Sequence, residues 1–382
     1  LNEWDSELLA EALGDYMTIA HKDLLRIMYN KATEATGSEL NDTPSSERHV
    51  GRVTVLFGAE VTDVDCDSEP PVVTMRSGDI YRADAVIGAD GPNGIVRRTL
   101  MQCEGAGPSS DVFTGVSTYS AVVPRALIAQ DRDLDSFYEY PQASSKRQRG
   151  DSVFIQFQST ISMGPGRGLM TEMAGQSNDL FIFVLAADPE DSQDGTWRDP
   201  ANNTMADIVG PIKKLAALAG PAAAMQNKKY YKLSSWVAES GRVAVIGEAA
   251  HPLRPCAQHT YSAALEDGVF IGKIFSHSHD PSRIPELLYA FEEHRQVKPR
   301  CEFINNIEQT YCNLVMMPDG EAQEGRDAMM RANHAAGRNV FHSEGDMQEM
   351  LEETHQLFGY DAADDADEWW VSWGRYRNME QN

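Results

Sequence analysis

The chain of 382 residues carries 58 Asp and Glu against 33 Lys and Arg, a formal net charge of -25, which argues against DNA, RNA or an anionic membrane surface as partner because phosphate binding needs clustered Lys and Arg. Hydrophobic residues make up 42% of it, yet no apolar run nears the roughly 18 residues of a membrane span, so composition predicts a packed protein of two interleaved domains with no transmembrane segment. Five scattered cysteines without a C-x-x-C pair predict reduced thiols in a cytoplasmic protein, and neither a disulfide framework nor a zinc site.

Residues 6–35 predict helix. Leu8, Leu9 and Ala12 recur at helical spacing, as do Leu24, Leu25, Ile27 and Met28 after a break near Gly14. The polar stretch 37–49 reads as loop. Short β-branched runs at 53–57, 60–65 and 72–75 predict strands, and Arg76-Ser77-Gly78-Asp79 turns the chain into Ile80-Tyr81-Arg82. Ala85-Val86-Ile87-Gly88-Ala89 is a continuous small apolar run, the pattern of a buried parallel strand, and a short helix is expected over 93–101. From about 113 to 233, strand-like runs (116–123, 153–157, 180–187) alternate with Gly-, Pro- and Asp-rich loops, which predicts an antiparallel sheet. Gly164-Pro165-Gly166-Arg167-Gly168 lacks the Lys-Ser/Thr ending of a phosphate loop and reads as a hairpin turn; 205–224 reads as helix.

Val243-Ala244-Val245-Ile246-Gly247 returns to the buried-strand pattern. Helices are expected over 263–276 and, as one long amphipathic element, 286–310. His277 and His279 have metal-pair spacing but fall in a polar segment, so no metal is expected. Near the end, 361–368 reads as a solvated acidic face, and Trp369, Trp370 and Trp373 as core packing. The fold class is α/β with α+β elements.

Two segments carry the chemistry. The first runs Ala83-Asp84-Ala85-Val86-Ile87-Gly88-Ala89-Asp90-Gly91-Pro92-Asn93-Gly94-Ile95-Val96-Arg97, and the second Gly241-Arg242-Val243-Ala244-Val245-Ile246-Gly247-Glu248-Ala249-Ala250-His251-Pro252. Each is an apolar strand followed by small residues, a carboxylate and a helix. Parallel α/β sheets bind cofactors beyond the carboxyl ends of such strands. Together, and in this order, the segments resemble the FAD-dependent aromatic hydroxylases of the salicylate-hydroxylase type. Asp23-Leu24, Leu265-Glu266-Asp267, Phe291-Glu292 with Arg295 and Arg300, and Phe358-Gly359-Tyr360-Asp361 extend the resemblance.

The resemblance implies an incomplete doubly wound FAD-binding domain (1–112 and 236–312), an inserted antiparallel-sheet substrate domain (113–235) and a C-terminal helical region (313–382). It implies FAD held by Asp90, Gly91, Gly247, Glu248, Pro252, Val61 and His21. NAD(P)H would reduce the flavin, and the substrate would be a phenolic, aromatic or polyketide-like small molecule on a monomer or homodimer. The family's usual G-x-G-x-x-G turn does not precede Ala83, and Leu1 in place of Met points to a processed, trimmed or partial N-terminus. His21 stands where the family has Arg, Glu248 where it has Asp, and Cys256-Ala257-Gln258-His259-Thr260-Tyr261-Ser262 lacks the family's glycines. These departures admit two alternatives. One is a flavin-independent isomerase, cyclase or hydro-lyase with His259, Tyr261, Glu248 and Asp90 gathered as acid–base groups in the vacated cavity. The other is a non-catalytic remnant.

Overall fold

The computed structural model describes residues 19–34, 53–107, 110–135, 148–149, 152–153, 159–164, 166–174, 179–187, 211–219, 223–254, 257, 259–297, 300–338 and 347–376. In chain order these form α1 (His21–Glu34), β1 (Val61–Asp65), β2 (Val72–Met75), β3 (Ile80–Arg82), β4 (Val86–Gly88), α2 (Ile95–Cys103) and the long β5 (Val112–Val123). Two single helical turns, α3 (Arg125–Ile128) and α4 (Arg132–Asp135), precede β6 (Gln148–Arg149), β7 (Ser152–Val153), β8 (Ser159–Gly164), β9 (Arg167–Ala174) and β10 (Asp179–Ala187). The chain continues through α5 (Pro211–Ala219), β11 (Ala223–Lys229), β12 (Val243–Val245), α6 (Thr260–Phe275), α7 (Ile284–Glu292), α8 (Arg300–Val315), α9 (Glu321–Ala335), α10 (Met347–Phe358) and α11 (Ala362–Trp369). No helix among the described residues is long and apolar enough to cross a membrane.

Strands β4 and β12 pair in parallel, with Val86 opposite Val243 and Gly88 opposite Val245. This register sets the carboxyl ends of both sequence segments side by side, although more than 150 residues separate them. Helix α2 lies so close on the end of β4 that a Cβ at Gly88 would fall 2.5 Å from the Val96 Cβ. Behind the pair sits the larger core, built from Val64, Leu100, Trp236, Val245, Phe270, Leu287, Phe291 and Trp369 among others.

The second sheet is antiparallel in the order β11-β5-β10-β9-β8. Along β10 burial alternates strictly, with Leu180, Ile182, Val184 and Ala186 buried. That face packs on Leu215 of α5 and on Ile128 and Leu134. The opposite face of β10, with Phe181, Phe183 and Leu185, is apolar too. The Gly164–Gly168 segment is a hairpin, Gly164 pairing with Arg167.

Several expectations need correction. Residues 53–56 are not in a strand, and Phe57 is 81% exposed: no described strand pairs with them, and a strand without a ladder has no outlet for its backbone hydrogen bonds. Ala223 and Ala224 belong to a strand, pairing with Ser120 and Tyr119, because the edge of β5 supplies hydrogen bonds that outweigh the helical propensity of alanine. The long helix over 286–310 is two: α7 ends at Glu292, a π-helical turn spans Glu293–Val297, and α8 begins at Arg300. Pro299 has no N–H to continue a helix. The 361–368 face is only partly solvated. Ala362, Asp365 and Ala366 are buried, and Asp365 accepts the Tyr360 hydroxyl (2.9 Å) and meets His294 Nδ1 (2.9 Å). Trp369 is core, whereas Trp373 is 67% exposed. The predicted helix before 19, the loop 37–49 and most of the 153–157 strand lie outside the described residues.

Candidate functional site

At the carboxyl end of β4 the chain turns at Asp90-Gly91. The Asp90 carboxylate accepts the Val96 backbone N–H at 3.0 Å, satisfying one of the orphan donors at the start of α2. Gly91 has φ +78, and nothing lies within 4 Å of where its Cβ would be. A partner could therefore approach this backbone closely.

At the end of β12, Gly247 has φ +57 and lies 3.1 Å, measured from its ideal Cβ position, from the Ala264 Cβ of α6. Glu248 follows, half-buried, and no described group donates a hydrogen bond to its carboxylate. Burial pushes its pKa up, an effect partly offset by His251 and His21 nearby. His21 leans on Tyr261, ring centroids 5.3 Å apart. The structure thus brings His21, Glu248, Gly247 and Tyr261 to one end of the parallel strand pair.

Beneath that end lies a charged network. Asp267 of α6 is fully buried and accepts the Gly247 N–H at 2.8 Å; it meets His251 Nε2 at 2.6 Å and the Arg295 Nε at 2.7 Å. Burial raises its pKa, but His251, Arg295 and the Gly247 N–H outweigh that and hold it below the ordinary carboxylate range. Arg295 also donates to Glu266 (2.9 Å), which pairs with Arg300 as well. Both guanidinium groups lie over the Tyr360 ring, 5.1 and 4.3 Å from its centroid. Arg97, fully buried, donates to the carbonyls of Ala249 (2.8 Å), Ala250 (3.4 Å) and Tyr231. The last residue of the first segment therefore holds the backbone of the second. His251 has a structural part here, against Asp267 and the Trp236 ring.

His259 goes elsewhere. It is buried at the start of α6, its Nδ1 2.9 Å from Glu308 Oε1 and its ring 5.5 Å from that of Phe358. Asp90 is committed to the start of α2. The expected acid–base set of His259, Tyr261, Glu248 and Asp90 is therefore not one constellation, because α8 and α2 each claim a member. Val61, at the start of β1, packs against the larger core, and Pro252 sits on the segment between Glu248 and α6. His277 meets Asp367 (2.7 Å) and stacks on Trp370.

A cavity that opens to solvent lies between the second sheet and α8. Thr118, Leu169, Phe183 and Leu185 line it from the sheet, Arg254 and Ala257 from the segment after Glu248, and Glu308, Tyr311, Cys312 and Val315 from α8. Phe183 and Leu185 explain the second apolar face of β10: one face meets the core and the other this cavity. Burial pushes the Tyr311 phenol well above its usual range, with Glu308 adding to the effect. Arg254, Glu308 and Tyr311 escaped the sequence reading. No motif marks them, and only the packing of α8 against the sheet brings them together.

A parallel strand pair presenting a small-residue turn and a carboxylate at its carboxyl end, beside an antiparallel sheet that roofs a cavity, is an α/β architecture of the enzyme type. The chain belongs to the FAD binding domain family, which matches residues 45–300; it is a flavoprotein-monooxygenase-like enzyme. It is 25% identical over 335 residues to the FAD-dependent monooxygenase OpS4 of Beauveria bassiana (strain ARSEF 2860), covering 84% of this chain and 69% of that protein. To a salicylate hydroxylase of Pseudomonas putida it is 24% identical over 297 residues, covering 75% and 62% respectively. Its fold is similar to that of a salicylate hydroxylase substrate complex, with TM-score 0.58 and 19% identity over 81% of this chain and 70% of that one.

Proposed function

We propose that the chain binds FAD at the carboxyl ends of β4 and β12 and oxygenates a small aromatic or polyketide-like molecule held in the cavity under the second sheet, with NAD(P)H as reductant. The observation that carries this reading is the Glu248 carboxylate, half-buried at a strand end without a described hydrogen-bond donor, beside a Gly91 turn whose Cβ position is open. A buried carboxylate lacking a donor is costly, and the ribitol hydroxyls of a flavin are donors of the right kind. When bound, the flavin supplies electron transfer from the nicotinamide and activation of dioxygen.

The chain's own groups have separate tasks. Glu248 and the Gly247 turn hold the ribitol. Gly91 lets the backbone come close. His21 and Tyr261, one against the other, close the outer side, His21 standing where relatives of this type carry Arg. Asp267 fixes Gly247 and His251 from beneath, so the turn is rigid before the cofactor arrives. The segment from Gly247 to Arg254 runs from this turn to the cavity wall, which supports placing the reacting ring there; the apolar lining from β9 and β10 excludes water. The domain boundaries expected above, with the substrate sheet inserted between two parts of the cofactor domain, fit this division of labour.

The test is a titration of the full-length natural protein with FAD, followed by absorption and by flavin fluorescence. The expected result is stoichiometric uptake that Glu248→Ala weakens by about tenfold or more, the value of a hydrogen bond to a buried charged group. NAD(P)H oxidation with oxygen uptake should follow on loading. Wild-type protein that takes up no FAD would overturn the proposal and return attention to redox-neutral chemistry.

A further inference from the structure

Among the described residues that line the cavity, one is a carboxylate, and its surroundings are specific. Glu308 of α8 has a side chain only 8% exposed. Its Oε1 accepts twice from the same residue, from the His259 backbone N–H (3.3 Å) and from His259 Nδ1 (2.9 Å). A carboxylate oxygen only accepts, so Nδ1 is the ring donor. No described residue donates to Oε2. Glu308 nonetheless lines the cavity, whose sheet-side wall is Leu169, Phe183 and Leu185. Among the described residues, His259 is the only basic group within ion-pairing distance of Glu308. The His259 ring is fixed in turn by Phe358, 5.5 Å away.

We infer that Glu308 is the specificity-determining anchor of this cavity: its Oε2 accepts a hydrogen bond from an O–H or N–H of the substrate, and His259 is the positioning residue that holds the carboxylate turned towards the cavity. A buried polar group with one lone-pair side unmet selects for a ligand that supplies the donor and rejects the isostere that lacks it. The substrate class is thus a ring compound carrying an unblocked hydroxyl or N–H, and the O-methylated or carboxylate-bearing counterpart is refused at that position. The inference rests on the reading of this cavity as the substrate chamber.

The probes are 2-naphthol and 2-methoxynaphthalene, two fluorescent ring systems of nearly equal size that differ in the donor. Titrated into the FAD-treated full-length protein, 2-naphthol should bind about tenfold more tightly or better. Glu308→Gln keeps an amide oxygen for His259 and turns an N–H towards the cavity, so the preference should vanish or invert. His259→Ala should reduce the preference, and His259→Asn, which restores a donor near the Nδ1 position, should recover it; a merely structural role for His259 would change melting temperature without moving the ratio. Equal binding of the two probes by wild type, binding of neither, or a preference that survives Glu308→Gln would overturn the assignment of Glu308. Leu185→Trp fills the cavity. If the naphthol preference survives Leu185→Trp, the chamber lies elsewhere and the reading beneath the inference fails; if Leu185→Trp abolishes binding while Glu308→Gln changes nothing, the chamber stands and only the Glu308 assignment falls.

Discussion

Replacing Asp267 by Asn tests the claim that one buried network joins the two sequence segments to the C-terminal helices. The substitution keeps shape and removes charge. In the native protein Asp267 is fully buried and takes three bonds, from the Gly247 N–H, His251 and Arg295. An Asn oxygen at the Oδ2 position can still meet the Gly247 N–H and His251, but its NH2 then faces the Arg295 donor. Arg295 is then left, fully buried, with Glu266 as its remaining carboxylate. Removing one partner of a buried pair costs about 3–5 kcal/mol, much of it from the charge left behind. Domains of 150–250 residues lose roughly 2–4 °C per kcal/mol, so the melting temperature should drop by roughly 6–20 °C, read by circular dichroism at neutral pH. The wild-type protein should also lose stability as pH falls through the depressed pKa of Asp267. This group stabilises the fold fully above its unfolded pKa of about 3.9 and loses that contribution below it, whereas Asp267→Asn should lack that component. A variant melting within about 2 °C of wild type would refute the reasoning, because the network would then carry no net load.

Three further outcomes follow from the same contacts. Arg97→Lys cannot span the carbonyls of Ala249, Ala250 and Tyr231 with a single ammonium group; it should cost about 2–4 kcal/mol in urea unfolding with an unchanged slope. Phe291→Ala opens the centre of the larger core, where Phe291 touches the rings of Trp236 and Phe270, and should cost about 3–5 kcal/mol by the same measurement. Glu248→Gln should act in opposite directions on fold and function. Burial raises the pKa of this carboxyl, so the folded state favours its protonated form and the charged form costs stability above the unfolded pKa of about 4.3. Neutralising it should stabilise the flavin-free protein on the order of 1 kcal/mol at pH 7, while FAD affinity falls.

Legibility in the sequence divided along the origin of each signal. Val86-Ile87-Gly88 and Val243-Ala244-Val245 were readable as buried parallel strands because both faces of each are apolar, and a strand covered on both sides needs no polar alternation. Arg295, Arg300, Glu266, Asp267 and Tyr360 were readable only as a string of resemblances; the structure turns them into one set of contacts around two guanidinium groups. The break before Arg300 was available in Pro299 and was overridden by the amphipathic pattern. The strand at Ala223-Ala224 carried no local signal at all, since only the free edge of β5 makes alanines extended there.

The site divides in the same way, and the division bears on what the family's departures mean. Glu248 and Gly91 sit in short local turns at strand ends, so their placement follows from the sequence once the two strands are known to be neighbours. The alternative that places His259 with Glu248 assumes that the loop side chains project into a vacated cofactor space, yet the sequence of a loop says little about direction at a helix start. The backbone N–H and the ring of His259 both turn to Glu308, a residue on a helix that no motif announces. At the start of α6 this chain carries a histidine whose bonds run to the cavity wall. The His259 end of this loop is thus tied to the cavity wall through Glu308, while the carboxylate at Glu248, on the strand-end side, has no described donor. A loop can change in this way without abandoning the cofactor, because the two sides are held by different elements: β12 and Asp267 on one, α8 and His259 on the other.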